Sequence, residues 1–125
     1  MGTPRNALKP RSRAHRNPVV AMRTAVLDLD PTGCRLNPPP IPAGRDWTRA
    51  EKARWSELWT SPQANAWDDS AVGTVAMVVI YESAIFAGTA SARQAQEARY
   101  AADSLGLTPK SMAALGWRIV GGQGD

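Results

Sequence analysis

The pattern of apolar and polar positions changes character at Trp47. From there on, helical spacing dominates. Thr48-Arg49-Ala50-Glu51 is a capping box, in which the hydroxyl caps one end of a helix and the carboxylate reaches back to the cap residue's N–H. It predicts a helix to about Thr60, with Trp55, Leu58 and Trp59 on one face. Tryptophans four residues apart on such a helix belong to a core rather than to a stacking platform for bases. Ser61-Pro62 supplies a cap and a first-position proline for a second helix, which should run to about Ala87 and stop at Gly88. The second half of that helix is apolar nearly all the way round. A helix apolar on every side is buried on every side, and two short neighbours can hardly cover it. Other copies of the chain are therefore expected to help, with Val72, Val75, Val79, Ile80, Ile85 and Phe86 at the interface. A membrane is not expected, because the stretch is near the lower limit of roughly 20 apolar residues and carries Thr74, Glu82 and Ser83.

A second capping box, Ser91-Ala92-Arg93-Gln94, opens a third helix. Ala95, Ala98, Ala102 and Leu105 form a narrow seam along it, while Arg93, Gln96, Glu97, Arg99 and Asp103 fall elsewhere and should be solvated. Gly106 can take the left-handed conformation that closes this helix, with Leu107 folding back as its apolar contact. Thr108 then caps a short fourth helix with Pro109 at its first position, and Gly116 can stop it. Trp117, Ile119 and Val120 should tuck the chain down before a disordered tail at 121–125.

The N-terminal third reads differently. Eight of the ten prolines precede residue 45, and the stretch from Leu36 to Gly44 should be extended and polyproline-like. Residues 1–27 read as a mobile arm and 28–46 as a stiff connector over the surface. Val19–Leu29 can form a short strand, but has no obvious partner. The expected organisation is an arm and connector over 1–46, a helical oligomerisation core over 47–120 and the tail. The expected fold class is all-α, three main helices and a short fourth behind the extended arm, assembled as a ring. A chain of 125 residues has room for one domain.

Charge sharpens the division. Residues 1–23 carry Arg5, Lys9, Arg11, Arg13, Arg16 and Arg23 with no acid, whereas the remainder carries nine basic and eleven acidic groups. A cationic arm on a mildly acidic body points to an anionic partner, of which nucleic acid is the commonest. Such an arm can neutralise several phosphates with steep salt dependence and little sequence choice. Arg49, Lys52 and Arg54 on the first helix are a second candidate contact, Arg49 and Lys52 lying three apart on one face, although a solvated face is the stronger expectation there.

Catalytic and metal signatures are missing from the sequence. His15 and Cys34 are the only residues of their kinds, too few for a zinc site or a disulfide framework, and a lone thiol fits a reducing, cytoplasmic setting. No glycine-rich phosphate loop is present. Asp68 and Asp69 are adjacent, so on a helix their side chains diverge, and their place in the first turns suits the helix dipole better than a metal. No enzyme activity, cofactor or metal is expected. The N-terminus has no secretory h-region, and its prolines break the amphipathic helix of a transit peptide.

Three strings together resemble phage terminase small subunits of the P27-like family. They are Trp47-Thr48-Arg49-Ala50-Glu51 followed by Trp55-Ser56-Glu57-Leu58-Trp59, then Ser61-Pro62-Gln63-Ala64 followed by Trp67, and Leu105-Gly106-Leu107-Thr108-Pro109 with the short helix after it. The resemblance spans roughly residues 38–120. It implies a non-catalytic subunit that forms a ring, engages double-stranded viral DNA in the cytoplasm of a bacterial host and serves a terminase large subunit bearing the ATPase and nuclease. One departure is plain: many small terminases carry an N-terminal helix-turn-helix domain, and residues 1–46 are too proline-rich to form one. Competing readings are a dimeric DNA-binding transcriptional regulator and a virion head–tail connector.

Overall fold

The structure, a computed structural model, describes residues 26–120. Strand β1 (Leu27–Leu29) is followed by an extended segment and then four helices: α1 (Arg49–Trp59), α2 (Val72–Ala87), α3 (Ala92–Ser104) and α4 (Pro109–Leu115). Strand β2 (Trp117–Ile119) comes last.

The fold is therefore not all-α. β1 and β2 pair in parallel, with Leu27 opposite Trp117, Asp28 opposite Arg118 and Leu29 opposite Ile119. Gly116 leaves α4 in the left-handed conformation at φ 76° and turns the chain out of the helix. The two extended ends then satisfy each other's backbone groups: the Leu27 N–H donates to the Gly116 carbonyl at 2.6 Å and the Val120 N–H to the Leu29 carbonyl at 3.2 Å. Outside the core, Arg118 donates to Asp28 across the pair at 3.1 Å. Leu27–Leu29, the end of the expected Val19–Leu29 strand, thus finds its partner at the other end of the described chain, while residues 19–25 lie outside the described residues.

The second expected helix is also interrupted. Pro62–Ala66 makes a short 3₁₀ helix, Trp67 and Asp68 are extended, and a second 3₁₀ turn at Asp69–Ala71 leads into α2. Two forces favour the break. The Asp68 carboxylate accepts from the Ser70 N–H at 2.9 Å and caps a new start. Trp67, only 2% exposed, enters the core, where its indole donates to the Leu105 carbonyl at 3.0 Å.

Tryptophans organise that core. Trp59 and Trp67 meet edge to face with ring centroids 5.2 Å apart, and Trp55 lies 5.8 Å from Trp59. Such pairs add to the large area each ring removes from water. The proline-rich segment is held by the same residues, since Trp55 donates to the Pro39 carbonyl and Trp47 to the Pro42 carbonyl, both at 2.8 Å. Leu29 and Cys34, in the segment read as an arm and connector, are buried with them.

The glycine at the start of the last turn has two jobs. Gly106 takes φ 74°, and a side chain there would collide with the Trp117 ring. Its position lets the Leu107 N–H reach the Ala102 carbonyl at 3.0 Å, while Leu107 packs on the core. Both capping boxes foreseen on α1 and α3 are closed by hydrogen bonds in both directions.

α2 and α3 form a helical hairpin whose halves differ. Near the core, Val75, Val78 and Val79 are at most 1% exposed and share the core with Ala101 of α3. Towards the tip, Ile85 is 40% and Phe86 85% exposed. By length and composition Asp69–Ala87 could cross a membrane. In this fold, its proximal turns supply the protein core and Glu82 pairs with α1.

Candidate nucleic-acid and assembly surfaces

Glu82 is the only charged residue between Asp69 and Arg93, so burying its helix requires a partner. Arg54 of α1 provides it. Its Nε and Nη2 donate to the two Glu82 oxygens at 2.8 and 3.1 Å, and its Nη1 donates to Glu57 at 3.1 Å. These charge-assisted bonds, led by Glu82, raise the Arg54 pKa above the ordinary arginine value. Arg54 is thereby committed within the chain. A lone charge in an apolar run was the sequence signal for this pair.

Beside the pair, α1 and the distal half of α2 leave an open groove of about 320 Å³. Ala50, Arg54 and Glu57 form one wall, and Val79, Glu82 and Phe86 the other. Glu51 and Ser83 complete the lining. Glu51 is 5% exposed; its carboxylate accepts from the Thr48 N–H at 2.9 Å and lies 3.7 Å from Arg45. The Thr48 hydrogen bond, followed by one with Ser83 and the charge of Arg45, holds its pKa below the ordinary carboxylate value against the opposing cost of burial. The lining thus carries three carboxylates and one guanidinium.

The expected DNA contacts divide into two groups. Arg5, Lys9, Arg11, Arg13, Arg16 and Arg23 lie outside the described residues. Arg49 and Lys52 are exposed on the first turns of α1. Arg45 adds a third exposed cation, with its guanidinium 4.5 Å above the Trp47 ring. The helix N-terminus itself offers little to an anion, because Thr48 and Glu51 already occupy its capping positions. Phosphate contact here would run through the cationic side chains.

The expected interface residues also separate. Val75 and Val79 are spent in the chain's own core, and Val72 packs against it. Ile80 is half-buried, and Ile85 and Phe86 are exposed. The outward face of α2 runs Gly73, Met77, Ile80, Ala84, Ala87, at spacings of 4, 3, 4 and 3 residues. It is uncharged, and Met77 is 38% exposed. That repeat is the seam along which helices pack closely. Sequence reasoning had not singled out Met77 or Ala84 because apolar residues occupy every side of this helix.

Among the described residues, no three His, Cys, Asp or Glu side chains come together as a metal site. The described surface offers exposed charge and apolar area. The chain belongs to the phage terminase small-subunit family: the model described as phage terminase small subunit matches residues 1–119. This membership supports a role in phage DNA packaging, a process whose small subunits are generally non-catalytic and partner DNA and a large subunit. No curated protein and no solved structure matches the chain.

Proposed function

We propose that the chain is a P27-like small terminase subunit that binds viral DNA as an oligomeric ring and regulates the large ATPase and nuclease subunit. Its place of action is the host cytoplasm, where small terminase subunits work during packaging. The observation that carries the reading is the family match, which extends across both the cationic N-terminal segment and the helical domain. Six cations over residues 1–23 provide the main phosphate contact, with Arg49 and Lys52 as a second contact on α1. The outward stripe of α2, joined by Ile85 at the tip, is the surface for neighbouring copies. A chain burying that stripe against a different surface of the next copy builds a ring when the rotation between copies closes.

The test combines native mass with DNA affinity over a range of salt. A closed multimer is expected, together with a logarithmic salt slope of about −4 to −5 for five or so neutralised phosphates. Replacing Arg5, Lys9, Arg11, Arg13, Arg16 and Arg23 by Gln should remove most of the slope. Unchanged affinity in that variant would sink the assignment of the contact, and a monomer at working concentration would sink the ring.

A further inference from the structure

The groove between α1 and α2 has an acidic and an apolar component with no assigned occupant. Arg54 is shared between Glu57 and Glu82, which leaves carboxylate in excess, and the Glu57 side chain is 68% exposed. Phe86 stands at the rim, 85% exposed. We propose that this groove docks the chain's own N-terminal segment, residues 1–23, and that DNA competes with the groove for it. This rests on the reading of that segment as the DNA contact.

Charge complementarity selects the occupant. Residues 1–23 hold six cations and no acid, while the rest of the chain is net acidic. The segment also carries an apolar run, Val19-Val20-Ala21-Met22, followed at once by Arg23. That order suits a site where the exposed Phe86 adjoins Glu57 and Glu82. A second copy is a poorer fit, because Arg93 and Arg99 on α3 are balanced by Glu97 and Asp103. The outward stripe of α2 is better suited to that copy. DNA itself is repelled by the groove's carboxylates.

Reach and tethering permit the contact. Val19 and Arg23 lie seven and three residues before Val26, so when extended they reach up to about 24 and 10 Å from it, against a radius of gyration of about 13 Å for a domain of this size. A tethered segment meets its site at an effective concentration of roughly millimolar, so a weak contact is sufficient to populate the docked state. DNA affinity is then the intrinsic affinity multiplied by the fraction of time the segment is undocked.

The test uses the full chain with Phe86→Ser and, separately, Glu57→Gln. Trypsin cleavage within residues 1–25 is followed by mass spectrometry, and DNA affinity is measured at fixed salt. Both variants should speed cleavage and tighten DNA binding by about 3- to 10-fold, since each frees the segment. Phe86→Ser leaves charge unchanged, so its gain cannot come from added attraction to phosphate. Unaltered cleavage in both variants would overturn the proposal. A changed native mass with unaltered cleavage would also overturn it, giving the groove to a second copy. Groove-dependent cleavage in a chain that binds no DNA would sink the DNA reading while leaving the docking in place.

Discussion

The two ends of α2 have nearly the same composition and different fates. At the proximal end Val75, Val78 and Val79 vanish into the core beside Trp59 and Trp67. At the distal end Ile85 and Phe86 face outward, although they are as apolar as the valines. Hydrophobicity specifies that a side chain gains by leaving water, but not what will cover it. Here α1 is 11 residues long and shields only part of a 16-residue neighbour. The uncovered remainder is available for binding.

Breaking the proximal end should have the largest effect. Trp59→Ala removes a fully buried ring that contacts both Trp55 and Trp67. A loss of about 3–5 kcal/mol is expected, read from denaturant unfolding.

An intermediate effect should come from Glu51, where the helix cap meets the groove. Glu51→Gln keeps an acceptor for the Thr48 N–H but removes the charge, and should cost about 0.5–2 kcal/mol near neutral pH. Because folding lowers the pKa of this carboxyl, its contribution is fully present above the unfolded value of about 4.3. It is lost as pH falls through the lower folded value. Unfolding free energy measured against pH should therefore fall less steeply on the acid side in the variant than in the parent chain.

The smallest effect on stability is expected at the distal end. Phe86→Ser should lower the unfolding free energy by no more than about 1.4 kcal/mol, the docking free energy that a 10-fold release of the N-terminal segment represents, because within the described residues the ring is 85% exposed. A loss near that of Trp59→Ala would show that the tip is covered in solution and would erase the contrast between the two ends.

What was legible in the sequence was local. The boxes at Thr48–Glu51 and Ser91–Gln94, and the glycine stops at 88, 106 and 116, each act within about one helical turn. Their chemistry is complete in a few consecutive residues, and they formed as expected. The candidate surfaces were legible only in part. Arg49 and Lys52 are exposed, but the groove depends on Arg54 meeting Glu82, 28 positions away.

The chain's own sequence determined where α1, α3 and α4 begin and end, where α2 ends, and how positive charge is concentrated before residue 24. Tertiary structure alone decided the pairing of Leu27–Leu29 with Trp117–Ile119 and which apolar side of α2 remains outside, and it joined the local Asp68 cap in making the break at Trp67. The physical reason is range. A cap is satisfied by its neighbours, whereas strand pairing and burial depend on surfaces that exist only after distant segments have met.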